Sequence, residues 1–136
     1  MYSEQKYRNR MRIYIAHSSA FDFRTELYAP IKESAPGTEH TFLLPHDASD
    51  ALFSSRELFA NGCDLVIAEV SFPSTGMGIE LGWANAAGVP IVCVHKSGTK
   101  PSSALASVTD TILEYANATE LLEQIRVTIH KVMRLP

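Results

Sequence analysis

Short apolar runs alternate with longer amphipathic segments along most of the chain. Apolar, β-branched runs of this kind are typical of strands that are buried on both faces of a parallel sheet. They predict strands over 13–16, 41–44, 64–70, 90–94 and 111–115. Helical spacing of apolar residues predicts helices over 21–34, from caps at 47–50 to Asn61, over 77–87, and over 119–133 with Thr119 as the N-cap.

Strands that alternate with helices favour right-handed crossovers and a parallel sheet covered on both faces. Five strands within 136 residues predict an α/β fold of the flavodoxin-like or Rossmann-like class, a three-layer sandwich with a five-stranded parallel sheet in the order 2-1-3-4-5. We expect a flexible N-terminal arm over 1–10 and a single domain over 11–136. Ligands bind such sheets at the carboxyl ends of strands 1 and 3, which places the loop at His17 beside residues 71–80.

Composition and charge narrow the classes of partner. A net charge of −3 and a pI near 5.9 argue against binding to a nucleic acid polymer. No apolar run approaches the roughly 18 residues that span a bilayer, and the first residues do not resemble a secretion signal. Cys63 and Cys93 form neither a disulfide framework nor a zinc spacing. These features predict a cytoplasmic protein with no membrane partner.

Residues 71–82 carry the candidate chemistry. Gly76 and Gly78 stand where the third strand turns into its helix, so that backbone N–H groups can approach a ligand closely. Ser74 adds a hydroxyl, and the positive end of the helix dipole favours a phosphate or a carboxylate. Glu80 is predicted in the first turn, where the dipole favours its ionised form. An ionised carboxylate suits a nucleophile, although the position also suits a glutamate that only stabilises the helix.

Other motif interpretations fail on context. The glycine spacing over 76–82 is one residue longer than a dinucleotide fingerprint, and it follows the third strand instead of the first. The sequence has neither the lysine of a P-loop nor a Gly-x-Ser-x-Gly elbow. His17, His46 and His95 each follow a predicted strand, which leaves open a metal site, a phosphate contact, a hydrogen bond to a ligand, or plain loop polarity. Because no pair of them has ligand spacing, we predict neither a metal nor a cofactor.

Three further side chains also allow two interpretations each. Lys96 and Lys100 lie in a loop rich in Ser and Gly, where they either close over an anion or remain solvated. Tyr14, within the first strand, belongs either to the core or to a site. If Tyr14 is buried, its hydroxyl needs a hydrogen-bond partner.

The run DLVIAEVSFPSTGMGIELGWA at 64–84, followed by GVPI at 88–91, resembles the nucleoside 2-deoxyribosyltransferase superfamily, most closely its branch of 2'-deoxynucleoside 5'-monophosphate N-glycosidases. The resemblance extends more weakly over most of the chain. It implies a flavodoxin-like homodimer or higher homo-oligomer, with sites near the subunit interface, that cleaves the N-glycosidic bond of a small-molecule nucleoside or nucleotide. In that family the glutamate that matches Glu80 attacks the anomeric carbon. Water then releases the sugar, or a second base accepts it.

The same resemblance implies roles for other residues. Tyr14 matches a tyrosine that positions the nucleophile, and Ser74 matches a contact to the 5'-phosphate. Ser103 matches a phosphate contact that the neighbouring subunit donates, and Ser18 falls in the first loop, which also serves the phosphate. The residues predicted to bind substrate or phosphate are His17, Ser18, Ser74, Gly76, Gly78 and Ser103.

The sequence departs from the family pattern at the acid that protonates the leaving base. The family places an aspartate eight residues before the one at Asp64, and this chain has Arg56 there, followed by Glu57. If this helix is one residue shorter than in the family, Glu57 takes the position of the acid. Otherwise Asp47 or Asp50 reaches in, or the acid is missing.

A second departure lies in the first loop. The monophosphate branch usually carries Arg and Gly there, whereas this chain reads His-Ser-Ser-Ala over 17–20, with Arg24 as a candidate substitute.

The sequence leads to two hypotheses about function. One is an N-glycosidase or deoxyribosyltransferase with Glu80, Tyr14 and Glu57 as its catalytic residues. The other is a non-catalytic nucleotide-binding or sensing module on the same fold.

Overall fold

The structure, a computed structural model, describes residues 10–47 and 55–134. Most of the predicted N-terminal arm, the candidate acid Asp50 and the start of the second predicted helix lie outside the described residues. Within the described ranges, no helix is both long enough and apolar enough to cross a membrane.

The described residues contain a five-stranded parallel sheet. Its strands are β1 Arg12–His17, β2 Thr41–Leu43, β3 Leu65–Glu69, β4 Ile91–Lys96 and β5 Ile112–Tyr115. They lie in the order β2-β1-β3-β4-β5, which confirms the predicted flavodoxin-like α/β fold. Ile13 of β1 pairs with Phe42 on one side and with Leu65 on the other. The chain therefore changes direction across the sheet between β1 and β3, where a ligand site is expected.

The helices connect these strands. They are α1, whose π-helical turn Arg24–Tyr28 continues as Ala29–Glu33, then α2 Ala35–Glu39, α3 Ser55–Asn61, α4 Thr75–Ala86 and α5 Ala118–Met133, with a 3₁₀ segment Ser103–Ser107 before β5. The long amphipathic segments of the sequence predicted α1, α3, α4 and α5. The α2 helix and the 3₁₀ segment are additions that apolar spacing did not indicate.

The α2 helix begins at Ala35, one residue before the Pro-Gly pair at 36–37. Ser34 is extended, and its Oγ accepts a hydrogen bond from the N–H of Gly37 at 3.2 Å. Pro36 lies in the first turn, where a helix does not need the missing N–H. A Cβ at Gly37 would lie 2.0 Å from the carbonyl oxygen of Ile31, so only glycine fits against α1 here. The pair therefore lies within a new helix, and α1 ends before it, at Glu33.

The closing helix is capped by Asn117, so the prediction of Thr119 is wrong. The Oδ1 atom of Asn117 accepts from the N–H of Glu120 at 2.9 Å, and Oε2 of Glu120 accepts from the N–H of Ala116 at 2.7 Å. Asparagine is a stronger N-cap than threonine, and the glutamate reaching back completes an arrangement like a capping box. The apolar face of α5 is buried, as its spacing predicted.

Two hydrophobic clusters cover the two faces of the sheet. Tyr14 of β1 belongs to the cluster with α3 and α4, whereas Ile13 and Ile15 belong to the cluster with α1 and α5. Successive residues of a strand point to opposite faces. Tyr14 therefore faces α4, and His17, three residues further on, faces α1. The candidate site lies at the strand ends between these two layers.

Candidate active site

The α4 helix begins two residues before Met77, where it was predicted to start. Ser74 is its N-cap, extended in the backbone, with Oγ accepting from the N–H of Met77 at 3.2 Å. Glu80 is therefore the sixth residue of a helix that starts at Thr75, and no acidic residue lies in the first turn. The prediction that places Glu80 in the first turn is wrong. Because the dipole effect fades beyond that turn, the setting of Glu80 depends on other contacts.

Tyr14 of β1 provides the principal contact to Glu80. The tyrosine is only 1% exposed, and its phenol donates a hydrogen bond to Oε2 of the half-buried Glu80 at 2.5 Å. Burial, and then the negative charge of Glu80, raise the pKa of Tyr14 well above its ordinary value, so the phenol keeps its proton and stays a donor. The ring of Phe59 in α3 packs edge-on against Tyr14, with 5.2 Å between centroids. The fold thus joins the two residues predicted as nucleophile and positioning partner.

A second tyrosine, Tyr28 of α1, feels the charge of Glu80. Burial raises the pKa of Tyr28 to about 12, and the negative charges of Asp47 and Glu80 add to the increase. Asp47 lies in the segment after β2, where its Oδ1 accepts from Nζ of Lys32 at 2.5 Å. Both carboxylates therefore act on the same buried phenol through their charge.

Glu57, the predicted acid, lies in the first turn of α3 and is exposed. Its neighbours on the chain, Ser55 and Phe59, both contact Tyr14, the first through a side-chain hydrogen bond and the second through its ring. Residues two apart on a helix lie on nearly opposite faces, so Glu57 points away from Tyr14. The structure does not bring Glu57 to the pair of Tyr14 and Glu80.

Arg56 occupies the position at which the resemblance expects an acid. Its guanidinium lies over the ring of Trp83 in α4, 5.8 Å from the ring centroid. The side chain therefore covers an aromatic surface of the neighbouring helix. Nothing in this contact supplies a proton to a leaving base.

His17 holds the first loop in place. Its Nδ1 lies 2.8 Å from the carbonyl oxygen of Ser18, and its Nε2 lies 2.6 Å from the hydroxyl of Tyr28. A carbonyl only accepts, so Nδ1 carries the proton and Nε2 accepts from the phenol. The N–H of His46 donates to the same phenol at 3.2 Å. Burial lowers the pKa of His17, which keeps the ring neutral. Both ring nitrogens are thus engaged within the chain, and the contact of His17 with substrate stays a prediction.

Ser18 and Arg24 also make contacts within the chain. Ser18 is buried, and its Oγ accepts from the N–H of Ala20 at 3.0 Å, which turns the loop that follows β1. Arg24 donates from Nη2 to the carbonyl of His46 at 3.0 Å, and its guanidinium lies 4.8 Å from the ring centroid of Phe23. Arg24 therefore joins α1 to the segment after β2. The phosphate contacts predicted for these two residues stay predictions.

The three histidines at strand ends do not form one cluster. The rings of His17 and His46 lie 5.7 Å apart, whereas Nδ1 of His95 lies 3.0 Å from Oγ1 of Thr99 in the loop after β4. Over residues 10–47 and 55–134, no group of three or more His, Cys, Asp or Glu side chains is arranged to hold a metal ion.

Glu69, at the end of β3, is a buried carboxylate that sequence reasoning missed. The residue is 1% exposed, and its Oε1 accepts from the N–H of Ser71 at 2.7 Å. Its Oε2 accepts from the Ser71 hydroxyl at 2.8 Å and from the phenol of Tyr115 in β5. Burial and the bond to Glu69 raise the pKa of Tyr115. The available signal was a glutamate inside the apolar run 64–70, because a buried charge requires polar partners.

A cleft of about 570 Å³ separates α4 from the 3₁₀ segment, with Ser74, Gly78 and Ser102 among its lining residues. Ser103 begins that segment and is exposed. A Cβ at Gly78 would meet nothing within 4 Å, and one at Gly76 would reach only Oγ of Ser74, at 4.0 Å. Packing within this chain therefore does not demand either glycine. The open surface leaves room for a ligand or for a neighbouring subunit.

A larger cleft, of about 670 Å³, lies at the opposite end of the strands. Arg10, His40 and Arg126 are among its lining residues. None of the predicted site residues lines this cleft, so we do not regard it as the candidate site, although it is the larger of the two.

No model of a protein family matches the sequence, and no curated protein matches it. Among solved structures, the fold is similar to that of the CMP N-glycosidase BcmB from Clostridium botulinum. The two chains are 21% identical with a TM-score of 0.57, over 85% of this chain and 98% of the other. At this identity the similarity supports the flavodoxin-like fold alone.

Proposed function

We propose that this protein cleaves the N-glycosidic bond of a 2'-deoxynucleoside or of its 5'-monophosphate, with Glu80 as the nucleophile. The observation that carries the proposal is the 2.5 Å hydrogen bond from the buried phenol of Tyr14 to the Glu80 carboxylate. The sequence run around Glu80 resembles deoxynucleotide N-glycosidases, and the chain shares its fold with a protein that is named a CMP N-glycosidase.

The Tyr14 bond also distinguishes the two oxygens of Glu80. Because Oε2 accepts from Tyr14, we assign the attack on the anomeric carbon to Oε1. As the new C–O bond forms, the bond from C1' to the base nitrogen breaks, and its electron pair leaves with the base, which takes up a proton. The phenol retains its own proton, since its pKa is raised, and so it orients the carboxylate throughout. Water then hydrolyses the glycosyl ester, or a second base accepts the sugar.

The proton for the leaving base requires an acid near the sugar. Of the two described candidates, Glu57 points away from Tyr14, so we assign the acid to Asp47, whose charge acts on Tyr28 as that of Glu80 does. Losing a general acid costs most when the leaving group is poor. Asp47→Asn should therefore slow the release of poor leaving bases more than that of good ones, and Glu57→Gln should show no such dependence.

For a 5'-phosphate we propose the N-terminus of α4. The first-turn N–H groups of a helix lack intrahelical partners and favour an anion. Ser74 caps that terminus, and Ser18 lies in the loop that leaves the neighbouring strand β1. A phosphate held there would place the sugar between the first loop and α4, on the side of Glu80.

Incubation with a panel of deoxynucleosides and their 5'-monophosphates tests the proposal. Chromatography should detect free base from the wild-type protein and none from Glu80→Ala or Glu80→Gln, both with unchanged circular dichroism. Glu33→Gln, at an exposed glutamate of α1, is the matched control and should retain full activity. Intact-mass spectrometry of a slow substrate should show the deoxyribosyl adduct on Glu80. Retained activity in Glu80→Ala would reject the mechanism.

A non-catalytic nucleotide-binding module is the second candidate. The observation that favours it is the arrangement of α3, in which Arg56 covers Trp83 and Glu57 faces away from Tyr14. Such a module would bind nucleotides in calorimetry and release no base from any member of the panel. Base release by the wild-type protein, and its loss in Glu80→Ala, would exclude this function.

We further propose that two copies associate through α4. Ile79 and Trp83 lie one turn apart on this helix and are 50% and 37% exposed, which is unusual for large apolar side chains. The resemblance places Ser103 of one subunit at the phosphate of the other. Sedimentation should show a homodimer that Ile79→Asp dissociates. Ile112→Asp, which charges an apolar side chain of similar exposure on β5, should leave the dimer intact.

A further inference from the structure

Lys96, the last residue of β4, makes a set of contacts that sets it apart from Lys100 in the loop that follows. Its backbone N–H donates to Oγ of Ser71 at 2.8 Å, and its Nζ donates to Oε1 of Glu26 in α1 at 2.5 Å. Its ammonium also lies 4.8 Å from the ring centroid of Phe21 and 5.4 Å from that of Phe72. Lys96 therefore does not extend over an open pocket as an anion-binding lysine.

The two rings come from loops that leave the sheet on opposite sides. Phe21 lies in the first loop, between β1 and α1, and Phe72 lies in the loop between β3 and α4. The rings stack with 5.4 Å between centroids and 25° between planes. Since α1 and α4 cover opposite faces of the sheet, this stack spans the gap between the layers beside the candidate site. Lys96 reaches the stack from β4, the next strand.

The surroundings of Lys96 strengthen this contact. The side chain of Lys96 is 29% exposed, so its ammonium is partly withdrawn from water, where attraction to ring faces is stronger. Its main chain is anchored through Ser71 to the buried carboxylate of Glu69. The backbone of Lys96 is therefore held in place, which limits where its ammonium can lie relative to Glu26 and the two rings.

We propose that Lys96 is a positioning residue of the candidate site, which holds the first loop against the loop between β3 and α4. The proposal rests on the proposed function, since these loops carry Ser18 and Ser74. Serine side chains that converge on one substrate need loops with a fixed separation. Lys96 fixes that separation without touching the substrate, so its loss should weaken substrate binding more than the chemical step.

Steady-state kinetics of base release test this role with three variants. In Lys96→Met, which keeps the apolar stem and removes the charge, KM should rise about tenfold while kcat changes less than about twofold. Lys96→Arg keeps the cation over both rings, so its KM should equal that of the wild-type protein. Lys100→Met, at an exposed lysine of the same loop, should match the wild-type protein. A wild-type KM in Lys96→Met, or equal losses in Lys96→Met and Lys96→Arg, would overturn the proposal.

Hydrogen exchange followed by mass spectrometry gives a readout that does not depend on activity. Lys96→Met should speed exchange over 18–22 and 71–75 together, with little change in α5, and Lys96→Arg should not. Uniformly faster exchange would mean general destabilisation and would contradict a positioning role. If the wild-type protein releases no base, the proposed function fails, whereas normal loop exchange in Lys96→Met rejects the role of Lys96.

Discussion

The phenol of Tyr14 in β1 donates a 2.5 Å hydrogen bond to Oε2 of Glu80 in α4. The two residues are 66 positions apart, so the contact forms only after α4 has packed on the sheet. Tyr14 is buried beneath α3 and α4, and Glu80 is half-buried on α4. The buried partner is thus the rigid one, and it determines where the carboxylate of its partner lies.

Replacement of Tyr14 by Phe should separate this contact from the packing of the ring. The ring would keep its edge-on contact with Phe59, and one hydrogen bond would be lost, which costs about 1 kcal/mol of stability. Because Glu80 would lose its orienting donor, we expect kcat for base release to fall about 10- to 100-fold. Phe59→Leu is the control, since it alters the packing and leaves the phenol in place. Unchanged kcat in Tyr14→Phe would show that the bond has no part in turnover.

His17 should make the protein less stable in acid. Burial lowers its pKa below the ordinary value of 6.5, so the unfolded chain takes up the proton more readily than the folded one. This contribution to the free energy of unfolding is complete above the unfolded pKa and is lost as pH falls through the folded pKa. The melting temperature should therefore fall between about pH 7 and about pH 5.

His17→Asn, whose amide can still donate to the Ser18 carbonyl, should show a smaller decrease over the same range. His40 also has a pKa lowered by burial, and its replacement should reduce the decrease further. His130→Asn, at an exposed histidine of α5, is the control. If His17→Asn loses as much stability in acid as the wild-type protein, proton uptake by His17 is not the cause.

The strand order could be predicted because short apolar runs alternate with helical segments, which favours right-handed crossovers and a doubly wound parallel sheet. The run 64–84 also singled out Glu80, whose carboxylate accepts the hydrogen bond from Tyr14. The start of α4 did not follow, because Ser71, Ser74 and Thr75 are all acceptable N-caps in a loop of suitable composition. Only the backbone conformation, extended at Ser74, decides among them.

The contacts missed by sequence reasoning are those whose partners are distant in the chain. Glu69 binds Tyr115, 46 positions away, and Lys96 binds Glu26, 70 positions away. Neither pair has a local pattern, since its members meet only at the carboxyl edge of the folded sheet. The strand order predicted that the loops after β1 and β3 meet at this edge, but it could not tell which charged groups pair with each other and which remain for a ligand.

Ser74 should contribute to both stability and phosphate binding. Its Oγ caps α4 by accepting from the N–H of Met77, and loss of such a cap costs about 1 kcal/mol. If a 5'-phosphate binds at this terminus, Ser74→Ala should also raise KM for a deoxynucleoside monophosphate more than for the free deoxynucleoside. Ser34→Ala, which removes the similar cap of α2, should not change that ratio. An equal increase in KM for both substrates would place the phosphate elsewhere.

Removal of the Glu69 side chain should destabilise the protein more than any other single change at this edge of the sheet. Glu69→Ala leaves the Ser71 N–H and the Tyr115 phenol without their buried acceptor, which costs about 3–5 kcal/mol. Glu69→Gln should cost less, because its amide oxygen can still accept from the Ser71 N–H while its amide donates to hydroxyls that rotate. Tyr115→Phe removes one donor and should cost about 1 kcal/mol.

Urea unfolding of the three variants measures these differences as shifts in midpoint at constant slope. Glu69→Ala should lose the most stability, and Glu69→Gln should lose less. Tyr115→Phe should stay closest to the wild-type protein, because it removes one donor and keeps the carboxylate. Equal losses in Glu69→Ala and Glu69→Gln would mean that the charge, and not the acceptor geometry, carries the stability.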